Sequence, residues 1–326
     1  MIDFVITWVD GNDPKWRKKF ESYSEEYEGD KRTVRYRDWD LLQYWFRGVA
    51  QYAPWVNCIF FVTEGHIPNW LNTKCPKLKI VKHSDFIPKE YLPLFNSRAI
   101  EVNLHRIHGL SEHFVYFSDD FFLINTIKPS FFFNKGLPCD IAVLNALDGG
   151  GVSDAIMESL IILNRHFNKR TVICDNVLKW FNYRYGSFML RTLFLLPWPN
   201  FTGFYDSHLP TPFLKSTFIE VWQNENDILC KTSKSKFRTY GTVNPYIFRY
   251  WQLLTGKFYP QNPCRKALYI QLSNENLEYI ISVITQQKKA IVVLNDSSDI
   301  NDFDLYKHEL IKAFDEILPT KSCYEI

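Results

Sequence analysis

The sequence predicts an α/β fold built on a mainly parallel sheet. Short apolar runs rich in β-branched and aromatic residues alternate with segments of helical spacing through the first half of the chain. Several of these runs end abruptly in acidic residues, and the alternation returns near the C-terminus. Strands that alternate with helices imply crossover connections and a parallel sheet, and in such sheets ligands gather beyond the carboxyl ends of the strands.

Residues 4–9 read as the first strand (FVITWV), followed by Asp10 in WVDG. Residues 39–51 have helical spacing, with Leu42, Trp45, Phe46 and Val49 on one face. Residues 58–63 and 78–81 are strands, the first followed by Glu64. Residues 96–107 read as a helix and 114–117 as a buried strand that runs into Asp119 and Asp120. Adjacent carboxylates repel and raise each other's pKa. A divalent cation removes that repulsion, and phosphate oxygens can share it. An acidic turn is the simpler reading of the doublet alone, but Asp10, Thr63-Glu64 and Asp119-Asp120 all falling at strand ends favours a site.

The middle of the chain differs. Gly149-Gly150-Gly151 is a turn or hinge without the spacing of a phosphate loop. Residues 153–167 look helical, with Ser153 placed to cap them. Helical or irregular apolar stretches continue to about residue 255, broken by Pro197, Pro199, Pro210 and Pro212. Then 290–294 reads as a strand, Asn295-Asp296 follows, and 303–318 is an amphipathic helix. The expected organisation is one catalytic domain over 1–326, with a core of 1–146 and 265–326 and a largely helical insertion at 147–264 that supplies an acceptor groove.

Composition narrows the function classes. The 326 residues are 46% hydrophobic and 17% aromatic, enough for a large core with aromatic faces left to line a groove. Lys and Arg number 38 against 36 Asp and Glu, a formal charge of +2, which supplies no broad basic field for nucleic acid. The basic run at 231–238 reads as a solvated loop or a local anion contact. Seven cysteines without CxxC spacing, and no leader pattern, read as reduced thiols in a cytoplasmic setting, and zinc is not expected. The most apolar stretch, 188–204, contains Arg191 and two prolines and reads as a buried helix and loop or a surface that touches membrane-bound glycan.

Four blocks carry a family resemblance: IDFVITWVDGNDPKW at 2–16; RYRDWDLLQYWFRG through VYFSDDFF at 35–122; SHLPTPF at 207–213 with Arg238 downstream; and IVVLNDSSDIND with a closing LPTKSCYE at 291–325. In this order they resemble the Stealth family, which includes bacterial capsule polysaccharide phosphotransferases and the animal N-acetylglucosamine-1-phosphotransferase. The resemblance implies a glycosyltransferase-A-like core and transfer of a sugar-1-phosphate from a nucleotide-sugar, such as a UDP-hexose or UDP-N-acetylhexosamine, to a glycan hydroxyl. A phosphodiester forms and the nucleoside monophosphate leaves. Ordinary glycosyl transfer, with release of the diphosphate, and a non-catalytic glycan-binding role are the alternatives.

The resemblance also implies roles. Asp119, Asp120 and Asp296 would hold Mg2+ or Mn2+, and Asn295 would help hold the donor. His208 would be the general base, with Asp10 as the alternative base or an acceptor-orienting group. Arg238 would face phosphate oxygens. Arg35, Asp38 and Arg47 would bind substrate, although their spacing also suits a structural ion pair. Ser97 and Glu101, one turn apart, would bind sugar hydroxyls, or else cap the helix and pair with an arginine. His105 and His108 continue that face without a third metal ligand. Arg98, Trp39 and Gly48 depart from the family pattern. The implied partners are a nucleotide-sugar and a glycan acceptor, with peripheral association with membrane-bound capsule assembly machinery at the inner face of the cell membrane.

Overall fold

The computed structural model describes residues 1–32, 36–150, 152–297 and 300–326. Four parallel strands form the centre: β1 (Ile2–Thr7), β2 (Ile59–Thr63), β3 (Leu78–Lys82) and β4 (His113–Phe117). β1 lies between β2 and β4, with Phe4 opposite both Ile59 and Val115, so the carboxyl ends of these strands share one edge. β5 (Phe121–Leu123), β6 (Phe133–Asn134) and β7 (Leu137–Asp140) follow, and β8 (Thr211–Leu214) then joins the main sheet antiparallel to β4. The order of that sheet is β3-β2-β1-β4-β8. β9 (Tyr259–Pro260) pairs with β7, while β10 (Ala267–Gln271) and β11 (Ile291–Asn295) form a second sheet with β5.

Alternation along the strands divides the core in two. Phe4, Ile6, Ile59, Phe61, Val115 and Phe117 face one layer, which holds the helix Leu42–Tyr52, the β10-β11-β5 sheet and the helix Phe303–Ile317. Val5, Phe60, Val62, Phe114 and Tyr116 face the other, packed by helices between residues 153 and 254. Period-two side-chain alternation in strands buried on both faces produces this three-layer arrangement.

Three expectations change. The middle segment, expected as a largely helical insertion, also supplies β8, which completes the main sheet. Residues 96–107 form two pieces, Ser97–Glu101 and a 3-10 turn at Leu104–Arg106. Between them the Asn103 amide donates to the Ala99 carbonyl and to Ser233 Oγ, a side-chain alternative to continued helix. Ser153 does not cap its helix; it is the first helical residue and makes no capping bond.

Arg47 corrects a site expectation. Its side chain is buried and donates to both Glu325 oxygens, from Nη2 at 2.9 Å, and to the Leu318 carbonyl. It fastens the C-terminal segment to the helix Leu42–Tyr52 and does not line the cleft described below. Burial alone would raise the Glu325 carboxyl, but hydrogen bonds from Arg47 and the Ser322 backbone outweigh it and hold the group below its ordinary range. Because the folded pKa is depressed, this contribution is present above the unfolded value of about 4.3 and is lost as pH falls below it. Arg47→Ala, which leaves Glu325 buried and unpaired, is expected to lower stability by about 3–5 kcal/mol in denaturant titrations at neutral pH, a difference that shrinks in acid.

Candidate active site

A cleft of about 1280 Å³ opens at the carboxyl edge of the main sheet. Its position follows from connectivity. β4 ends at Phe117 in the main sheet, and β5 begins at Phe121 in the second sheet. Asp119 and Asp120 therefore occupy the short crossing between two sheets. β11 runs antiparallel to β5, with Val293 opposite Phe121, and the Leu294 amide donates to the Asp120 carbonyl at 3.0 Å. Asn295 and Asp296, the next residues, are delivered to the same edge. β8 pairs Thr211 with Tyr116, which brings His208, three residues earlier, to the end of β4. The His208 ring stands edge-on to Phe121 at 5.4 Å and to Tyr269 at 5.3 Å.

The acids are in a demanding setting. Asp119 is open to cleft water but surrounded by the cleft walls, and this desolvation, followed by the charges of Asp38 and Asp296, pushes its carboxyl up to about 6. Desolvation and then the Asp119 charge push Asp120 well above the ordinary carboxylate range. Burial raises Asp38 as well. Arg37 forks onto Asp296, from Nε at 3.0 Å and through Nη2, and its guanidinium lies 4.4 Å from the Phe303 ring centre. Among the described residues, no three His, Cys, Asp or Glu side chains are packed as a ready-made metal cluster.

A second group lines the same cleft. Arg238 Nη2 donates to Ser97 Oγ at 2.7 Å, while Glu101 accepts from the Tyr116 hydroxyl at 2.9 Å. Tyr116 also meets Thr7 Oγ1 at 2.9 Å, so residues from β1, β4 and the helix Ser97–Glu101 are tied together. Asn96, not Ser97, caps that helix by accepting from the Arg98 amide. Burial raises the Glu101 carboxyl despite the nearby Arg238 charge. Burial also lowers the His208 imidazole, with Arg238 adding to the shift, so His208 stays neutral to lower pH than an ordinary histidine.

The structure brings Asp38, Ser97, Glu101, Asp119, Asp120, His208, Arg238, Asn295 and Asp296 to one cleft. Asp10 lies just beyond the lining residues Trp8 and Val9, where its amide donates to His66 Nε2 at 2.9 Å. Arg35 lies outside the described residues. His105 is instead packed near Phe218 and Trp222, and burial depresses it to about 3. The three departures have local causes. Gly48 lets the helix Leu42–Tyr52 approach β5, since a Cβ there would sit 2.5 Å from the Leu123 carbonyl oxygen. Trp39 packs on Phe303 at 4.5 Å. Arg98 is buried and forks onto Asp154.

Sequence reasoning missed Arg37 and Arg249. The first stands in RYRDWD beside residues that were considered. The second had no motif signal. Buried Arg249 forks onto Asp140 and reaches Asp206, which also accepts from the Tyr250 hydroxyl at 2.6 Å. His208 has φ 47, a strained conformation for a side-chain-bearing residue, and this anchored Asp206 lies two residues before it. Tyr250→Phe removes one bond to the Asp206 carboxylate and is expected to lower stability by about 1.5–3 kcal/mol, read from denaturant midpoints.

Residues 2–28 match the model of Stealth conserved region 1, and residues 35–139 match Stealth conserved region 2. The chain is 41% identical over 329 aligned residues to a capsular polysaccharide phosphotransferase, WcwK, of Streptococcus pneumoniae, covering 99% of this chain and 98% of the relative. It is 39% identical to the exopolysaccharide phosphotransferase cps2G of Lactiplantibacillus plantarum, covering 99% and 96%. It is 38% identical to the receptor polysaccharide phosphotransferase WefC of Streptococcus gordonii, covering 100% and 99%. Among solved structures it has a loose likeness to the galactosyltransferase LgtC in complex with donor and acceptor sugar analogues, with TM-score 0.41, 10% identity and coverage of 99% and 98%.

Proposed function

The chain belongs to the Stealth family of polysaccharide phosphotransferases, and we propose that it transfers a sugar-1-phosphate from a nucleotide-sugar to a hydroxyl of a cell-surface glycan. The observation that carries this reading is the meeting of Asp119-Asp120, Asp296, His208 and Arg238 around one cleft from separate parts of the chain. The donor is a UDP-hexose or UDP-N-acetylhexosamine.

The residues suit attack at phosphorus. Neutral His208 takes the proton from the acceptor hydroxyl. That oxygen attacks the donor's β-phosphorus, the bond from β-phosphorus to the bridging oxygen breaks, and the nucleoside monophosphate leaves with the electron pair. Arg238, held by Ser97, neutralises charge that builds on phosphate oxygens. Ser97 and Glu101 would hold sugar hydroxyls. Asn295, held by Gln271, faces the donor.

The donor set fits a hard divalent cation, because Asp119 and Asp120 offer carboxylate oxygens whose mutual repulsion a cation would remove. Asp119 and Asp120 would hold Mg2+ or Mn2+, with Asp296, already engaged by Arg37, as the third carboxylate. When bound, the ion would draw charge from the donor diphosphate.

Chromatography of nucleotides after incubation with UDP-sugars and short glycan primers tests the reading. UMP release that is lost with EDTA, with Asp120→Ala and with His208→Ala is expected. UDP release would move the protein to ordinary glycosyl transfer. The pH profile gives a second check. The lowered His208 value means that activity is lost only in acid, with the limb of kcat/KM below the ordinary histidine value of about 6.5. A limb at or above that value at saturating divalent cation, which would hold Asp119 and Asp120 ionised, would remove His208 from the role of base.

A further inference from the structure

One surface takes no part in the chemistry above. Between residues 177 and 198 the chain folds into short helical pieces, Val177–Trp180, Tyr183–Phe188 and Met189–Leu195. They expose large apolar side chains: Leu178 is 80% exposed, Tyr183 73%, Phe194 71% and Trp198 53%. Leu190, Leu193 and Phe194 are three and four residues apart and so share a helix face, with Trp198 just beyond.

This surface is built, not frayed. Trp180 and Tyr185 are fully buried beneath it. Lys169, 2% exposed, donates from Nζ to the Trp198 carbonyl at 2.8 Å and to the Leu195 carbonyl. Thr192, also buried, accepts from the Leu144 amide at 3.0 Å. A buried ammonium is costly unless it is bonded, and here its bonds hold the apolar tip outward. Charge frames the patch. Between residues 170 and 198 the exposed or half-buried charged side chains are Arg170, Lys179, Arg184 and Arg191 against Asp175.

We propose that this surface docks the protein peripherally on an anionic lipid bilayer. Leu178, Leu190, Leu193, Phe194 and Trp198 enter the boundary between headgroups and acyl chains, and Arg170, Arg184 and Arg191 meet lipid phosphates. Apolar side chains with a cationic frame and an interfacial tryptophan match the chemistry of that boundary. A second copy of the chain fits less well, because a two-fold contact would set the same cationic frame against itself. Leu178, Leu190 and Leu193, which are set among the aromatic rings, offer a glycan neither hydrogen bonds nor ring stacking. Docking here does not depend on the phosphotransfer chemistry. Where both hold, the acceptor is met at the membrane surface, because Phe188 packs on Tyr205 at 4.6 Å, Arg191 lies over the same ring, and Tyr205 lines the cleft.

Cosedimentation of the full chain with vesicles tests this without using turnover. Vesicles of phosphatidylcholine alone and mixed with phosphatidylglycerol are compared at low and high salt. Binding to the mixed vesicles is expected to be about tenfold tighter or more, and to fall by a similar factor in Arg170→Glu/Arg191→Glu and in Leu193→Ser/Phe194→Ser. All four positions are exposed, so circular dichroism should be unchanged, and Arg191→Ala sets the melting baseline for loss of its 2.8 Å bond to Asn145 Oδ1. No binding by the native chain, or equal binding by both double variants, overturns the proposal. A native dimer that Leu193→Ser/Phe194→Ser dissociates, without vesicle binding, overturns it in favour of self-association.

Discussion

Carboxylate repulsion at the crossing from β4 to β5 is the constraint around which the site is arranged. Two adjacent acids stand where the chain leaves one sheet for another, and Asp38 and Asp296 add negative charge from other segments. Such a concentration works against folding unless it is relieved. Arg37 relieves part of it by forking onto Asp296. What remains is a negative focus in a cleft that also holds a neutral histidine and Arg238. A bound diphosphate, as proposed, would bring its own charge to this cleft and would be neutralised there by cationic groups.

Topology makes this meeting possible. β5 pairs with β11, so the doublet and Asp296 become neighbours although they are far apart in sequence. β8 pairs with β4, so the turn that carries His208 arrives at the same edge. The Arg249 cluster with Asp140, Asp206 and Tyr250 then holds the approach to that turn. The two arginine clusters differ in purpose. Arg47 with Glu325 closes the C-terminus onto the core, whereas Arg249 braces the segment that leads to His208.

Much of the fold was legible because buried parallel strands are apolar runs and amphipathic helices repeat at their own period. β1, β2, β3 and β4 fell within a few residues of their expected positions, as did the helix Phe303–Ile317. β8 was hidden because Pro210 and Pro212 read as breaks. Pro212 is tolerated because β8 is the edge strand of its sheet. The second sheet was hidden because β5 has three residues and its pairing with β11 is non-local. Site residues in dense motifs, such as Asp119, Asp120 and His208, could be read. Arg37 could not be separated from its charged neighbours, and Arg47 was misplaced because spacing along a helix does not tell which face meets the cleft.

The central claim is that phosphorus, not the sugar carbon, is attacked. A UDP-sugar that carries radioactive phosphorus at its β position tests it most directly. If the account holds, the label moves into the glycan product and the released nucleotide is unlabelled UMP. Label that stays with the nucleotide, as UDP, while sugar enters the glycan would contradict it.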